Sequence, residues 1–188
     1  MQAVPFTLVR SLILCSILGR NVVDMSASTQ HLLHNYREGD TWLALSENPL
    51  TQSALSSWVS VPSCGAVVTF TGVVRDHSEG RPDVHTLDYE AYEAQVIPKL
   101  SEVAEAARRK WETIGRIAMI HRVGTLHVGD LAVVVSVSTP HRSECFAAAA
   151  FCIDTLKHTV PIWKREISPA GAEWVRCDHE GATHKVLG

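Results

Sequence analysis

The stretch Ser138–Glu166, STPHRSECFAAAAFCIDTLKHTVPIWKRE, decides how the rest of the sequence is read. Ser138 or Thr139 is a ready N-cap, and Pro140 suits the first helical position, where a missing N–H is no loss. From Cys145 to Ile153 only Cys, Phe, Ala and Ile precede the first polar residue, Asp154. A helix apolar nearly all round is buried on several sides. Lys157 and His158 restore polarity before Pro161 forbids continuation, and Ile162-Trp163 then opens a short β-like run that includes the basic pair Lys164-Arg165. Cations beside a buried helix are unfavourable unless partnered, and an anionic ligand is a natural partner.

Outward from this helix the sequence alternates between two periods. Leu131–Ser138 and Arg116–Val123 read as strands, with Gly124–Asp130 as a turn-rich link. Ala94–Trp111 is helical: Val96, Leu100, Val103 and Ala107 recur on one face, Glu102, Glu105, Arg108 and Arg109 point outward, and Gly115 ends it. Val84–Tyr92 alternates as a strand, and Gly65–Val74, GAVVTFTGVV, is a buried β-branched strand that runs into the polar loop Arg75–Asp83. Thr41–Leu45 reads as a strand and Leu50–Val59 as a short helix. Ile162–Ile167 is the last strand, with Glu173–Cys177 extending it beyond Ser168-Pro169-Ala170-Gly171. Strands come in adjacent pairs, which predicts an α+β fold with a largely antiparallel sheet and two main packed helices rather than a doubly wound one.

The expected domain is 40–178, after a poorly ordered extension over 1–39 and before a polar tail over 179–188. Ser11–Gly19 is apolar but too short to span a bilayer, and no small-residue cleavage site follows. It reads as an upstream extension, with Met25 a candidate start. A net charge of −3 gives no global attraction to nucleic acid or to an anionic membrane, so any anion site is local. Cys15, Cys64, Cys145, Cys152 and Cys177 form no C-x-x-C pair and are odd in number, which fits a reducing cytoplasm better than a disulfide framework. The ten histidines show no zinc-ligand spacing, and there is no G-x-G-x-x-G, Walker or G-x-S-x-G motif.

Four places concentrate positive charge. Arg75 opens a polar loop after a buried strand. His141-Arg142 lies at a helix N-terminus, where free N–H groups favour anions and added cations conflict with the helix dipole. Lys157 sits comfortably at the opposite end, while Lys164, just beyond a proline, can converge with it on one pocket, where a neighbouring cation lowers a lysine's pKa. Arg142 and Lys157 are fifteen residues apart, or about 22 Å along a helix at about 1.5 Å per residue. Either there are two sites, or a symmetric dimer brings one chain's His141-Arg142 to the other's Lys157 and buries the Ala-rich face.

The segments GAVVTFTGVVRDHSEG (65–80), IHRVGTLHVGD (120–130), HRSECF (141–146) and LKHTVPIWKRE (156–166) together resemble the large, catalytic subunit of molybdopterin synthase, over roughly 65–175. The resemblance implies an α/β hammerhead-like fold and a homodimer in which each subunit binds a small ubiquitin-like subunit, giving a heterotetramer. It implies a sulfurtransferase that converts cyclic pyranopterin monophosphate to molybdopterin, taking sulfur from the thiocarboxylated C-terminus of that small subunit, with no metal and no cofactor. The family's pocket falls on Arg75, His141, Arg142, Lys157 and Lys164, with Val73, Val74, Arg165 and Glu166 in the matching segments. Lys157 is then the principal catalytic lysine, Lys164 assists it, and Arg75, His141 and Arg142 bind the phosphate and the pterin. Arg176 is a candidate C-terminal basic contact. The competing reading is a non-catalytic module that binds the ubiquitin-like partner or a phosphate ligand; the intact set of basic residues favours the enzyme.

Overall fold

A computed structural model describes residues 32–78, 82–169 and 171–175. Nine strands and three helices are described: β1 (Leu32–Glu38), β2 (Thr41–Ser46), α1 (Gln52–Val59), β3 (Ala66–Val73), β4 (Thr86–Ala91), α2 (Glu93–Lys110), β5 (Ile117–Arg122), β6 (Gly124–His127), β7 (Leu131–Thr139), α3 (Arg142–Thr159), β8 (Ile162–Ser168) and β9 (Gly171–Val175). They form a five-stranded sheet in the order β1-β2-β5-β7-β3 and a four-stranded sheet in the order β6-β4-β8-β9. Every pairing is antiparallel except β2 with β5, so the α+β expectation holds.

The central strands of the larger sheet, β2, β5 and β7, are buried on both faces, and strand parity assigns each of their side chains to a layer. Trp42, Ala44, Ala118, Ile120 and Val134 meet Ala54, Leu55, Trp58 and Val59 of α1. Their neighbours Leu43, Leu45, Ile117, Met119, Val133, Val135 and Val137 face the other way, against Val96, Leu100 and Val103 of α2 and Ala148, Cys152 and Leu156 of α3. This explains why β7 is apolar along almost its whole length: a strand covered twice has no solvent face on which to place polar residues. A third cluster, Val74, Val84, Leu87, Leu126 and Ala132, joins the small sheet to the large one.

Several expectations need correction. The sheet begins at Leu32, ahead of the expected boundary at residue 40, because β1 pairs with β2 across a turn at Gly39. The link after β5 contains a true strand, β6, paired with β4. Pro140 lies outside α3, whose N-cap is His141, and no side chain caps that end. The same helix is buried on one side only: Cys145, Ala148, Ala149, Cys152, Ile153 and Leu156 are inside, whereas Phe146 is 64% exposed. Arg108 is not a solvent-facing residue; its guanidinium donates to the carbonyl oxygens of Ile114, Gly115 and Asp40 and ties the end of α2 to the start of two strands. That helix ends at Lys110, with Trp111 N–H donating to Ala107 O, so Gly115 does not stop it. Gly115 is needed for close approach, since a Cβ there would lie 2.4 Å from Cys64 Sγ. The segment after Ser168 folds back as β9 rather than extending β8. Residues 1–31 and 176–188, including the expected polar tail and Arg176, lie outside the described residues. No helix among the described residues is long and apolar enough to cross a membrane.

Candidate functional site

The end of β3, the last turn of α3, and strands β4, β5 and β8 enclose a cavity of about 300 Å³. Arg75 enters it just beyond β3, Lys157 from α3, and Lys164 and Glu166 from β8. The two lysines are brought together because Pro161 turns the chain at the end of α3 and β8 then runs back along β4. Alternation along β8 puts Lys164 and Glu166 on the cavity face, opposite Tyr89 and Leu87 of β4.

Glu166 is the most buried ion of the site, 2% exposed. It accepts a hydrogen bond from the Ser78 hydroxyl and pairs with Lys164 Nζ at 3.1 Å. Lys164 is therefore held in place and neutralised. Neither Arg75 nor Lys157 is paired with a carboxylate among the described residues. Among the described residues that line the cavity, three cations face one carboxylate, an excess of positive charge that suits anions.

The other residues singled out in the sequence fall elsewhere. Val73 is half exposed and lines the cavity, but Val74 is buried in the cluster between the sheets, its N–H donating to Asp130 O and its carbonyl accepting from Gly129 N. Arg165 points to the opposite face of β8, where it donates to Asp88 Oδ2 at 2.7 Å and lies over the Trp174 ring. That hydrogen bond, with a second from Thr125, holds the Asp88 carboxyl below its usual range. His141 and Arg142 sit exposed at the far end of α3 and do not line the cavity. The separation foreseen from helix length is thus present in the folded chain.

Sequence reasoning passed over His121, which also lines the cavity. It is 7% exposed, with Nδ1 2.7 Å from the Arg122 carbonyl oxygen. Burial pushes its pKa down to about 4, and the charge of Lys157 adds to the effect. The available signal was parity: Ile117, Met119 and His121 share one face of β5, so a histidine there is placed inside rather than at the surface. None of the described cysteines lines the cavity. Cys152 is pushed up to about 12 and Cys145 upward by burial, and Cys145 donates its S–H to Val137 O. No group of three or more His, Cys, Asp or Glu among the described residues is arranged to hold a metal ion.

The chain is similar to known proteins in sequence and in fold. The sequence matches the family described as MoaE protein over residues 45–159. It is 47% identical over 131 residues to molybdopterin synthase catalytic subunit 1 of Mycobacterium tuberculosis, covering 70% of this chain and 88% of that protein. It is 38% identical over 142 residues to the molybdopterin synthase catalytic subunit of a Nostoc species, covering 73% and 86%. The crystal structure of molybdopterin synthase from Staphylococcus aureus superposes with a TM-score of 0.67 at 33% identity, covering 72% of this chain and 96% of that one.

Proposed function

The chain belongs to the MoaE protein family, and from that premise we propose that its basic cleft is where sulfur is inserted into a cyclic pyranopterin monophosphate. The chain is a molybdopterin synthase catalytic subunit, an enzyme of molybdenum cofactor biosynthesis. The observation that carries the proposal for the site is the convergence of Lys157 and Lys164 with Arg75 on one cavity. The cyclic phosphate of the substrate and the thiocarboxylate of a sulfur-donating tail each carry one negative charge. Both suit Arg75 and Lys157, the two lining cations that no described carboxylate neutralises.

Arg75 binds the phosphate through charge-assisted hydrogen bonds. Lys157, which no described carboxylate neutralises, serves as general acid/base or stabilises the negative charge that develops during sulfur transfer. Lys164 assists from a position fixed by Glu166. Sulfur arrives on the C-terminus of a small ubiquitin-like subunit, so the chain needs no reactive cysteine, and the free thiols of Cys64, Cys145 and Cys152 suit a reducing cytoplasm. The name "catalytic subunit" carried by the relatives supports a second kind of subunit.

The active unit is a homodimer. His141 and Arg142 of a second copy complete each cleft, which places two binders otherwise stranded about 22 Å away along α3. The exposed Phe146 on α3 and the exposed Val67 and Phe70 on the edge strand β3 offer apolar surface for that contact. The test is reconstitution with the cyclic precursor and thiocarboxylated small subunit, measuring molybdopterin formed. Lys157→Ala is expected to lower turnover by about 100-fold or more; normal turnover in that variant rules out the catalytic assignment. Full activity in a species that sediments as a monomer rules out the shared site.

A further inference from the structure

His121 sits inside the cleft without a role in the scheme above. Its Nδ1 lies 2.7 Å from the carbonyl oxygen of Arg122. A carbonyl only accepts, so Nδ1 carries the hydrogen, and in the neutral ring Nε2 bears a lone pair. Nε2 has no hydrogen-bond partner among the described residues. The buried side-chain nitrogen or oxygen without a partner among those residues is Arg165 Nε, so His121 Nε2 is not sealed off from solvent, and its ring borders the cavity. The Tyr89 ring packs edge-on against the imidazole, with centroids 5.2 Å apart, and fixes its plane.

The charged heads around it have the opposite character. Arg75, Lys157 and Lys164 can only donate hydrogen bonds. Glu166 is already engaged by Ser78 and Lys164. From this arrangement we propose that His121 Nε2 is a hydrogen-bond acceptor through which the cleft recognises an N–H or O–H hydrogen of its small-molecule ligand. In the reading above, on which this rests, that donor is a ring N–H of the pterin. The cations hold the anionic end of the ligand and His121 reads the heterocycle, so anion affinity and ring selectivity reside in different side chains. Burial, reinforced by the charge of Lys157, keeps the imidazole neutral down to about pH 4, so the acceptor persists across the physiological range. A site that presents a buried acceptor discriminates against ligands lacking the matching donor, because that acceptor is left unpaired.

The test is calorimetric binding of two ligands, the cyclic precursor and inorganic phosphate, to the whole chain and to its His121→Phe and His121→Gln variants. His121→Phe is expected to weaken precursor binding about tenfold and to leave phosphate binding unchanged. His121→Gln, whose amide oxygen can accept, is expected to restore most of the loss. Equal precursor affinity in His121→Phe, or parallel loss of both ligands, overturns the proposal. A second measurement needs no variant: the 15N resonance of His121 Nε2 in the unmodified chain is expected to move on adding precursor and to stay in place on adding phosphate, and an Nε2 signal indifferent to precursor also overturns it. If the unmodified chain fails to bind the precursor at all, the substrate assignment falls, which is a different result from binding that ignores His121.

Discussion

Glu166 carries more of the cleft's architecture than its position beside Lys157 and Lys164 suggests. A carboxylate 2% exposed needs compensation, and among the described residues Lys164 and Ser78 supply it. Glu166→Ala leaves Lys164 as a largely buried cation without its carboxylate, which costs about 3–5 kcal/mol; thermal unfolding is expected to show the loss along with the fall in activity. His121 gives a separate signature. Its folded pKa of about 4 lies below the ordinary 6.5, so the unfolded chain binds the extra proton first as pH falls. The contribution is fully present above about pH 6.5 and is lost progressively toward pH 4, amounting to about 3 kcal/mol at the acid limit. Urea unfolding between pH 7 and pH 4 is expected to show this slope, and His121→Phe to flatten it. The lysines and Arg75 were legible in the sequence because charges next to apolar runs stand out. His121 was not, since a lone histidine in an apolar strand looks like part of the core, which it also is. Val74 and Arg165 show the converse difficulty: they neighbour site residues in sequence, but strand alternation turns them away from the cleft.

Among the elements, apolar and periodic segments were readable, the short β2 and α1 included, whereas β1 and β6 were not. The apolar stripe of α2 and the β-branched runs of β3, β5 and β7 state their structure locally. β6 is only four residues, GTLH, of which Leu126 alone is buried, so it exists by virtue of pairing with β4. β1 is polar and mostly exposed, and it too depends on its partner strand. Arg108 misled for a related reason: helical periodicity places it on the polar side, but the carbonyl groups of the loop after α2 come to meet it. This loop is tightly fitted. Gly115→Ala would put a Cβ 2.4 Å from Cys64 Sγ and 3.0 Å from Ser138 Oγ, an overpacking worth about 1–3 kcal/mol. Because the closest atom is the thiol, Cys64→Ala in the same chain is expected to recover part of the loss, and chemical denaturation of the single and double variants measures the coupling.

At the scale of the whole molecule, the decisive question is whether one cleft is built from two chains. α3 bears Lys157 at one end and His141-Arg142 at the other, and a rigid helix cannot fold its ends together. Lys157→Ala and Arg142→Ala, each inactive alone, are therefore expected to complement when the two chains are refolded together. Random pairing makes half of the dimers mixed, and each mixed dimer has one intact cleft, so about a quarter of the original activity should return. Mixing that restores nothing shows that each chain uses its own residues.

The two faces of β8 have a consequence for how this segment can change over time. Lys164 and Glu166 look into the cleft, while Arg165 clasps Asp88 and Trp163 is half exposed on the reverse side. Adding or removing one residue between Pro161 and Lys164 would exchange the faces, sending Arg165 inward and Glu166 out toward water. Individual letters in this segment can drift wherever chemistry permits, but their number is frozen. Genetic variation here should accordingly be rich in substitutions and empty of single-residue gaps, and a library of such gaps screened for activity is expected to yield no survivors.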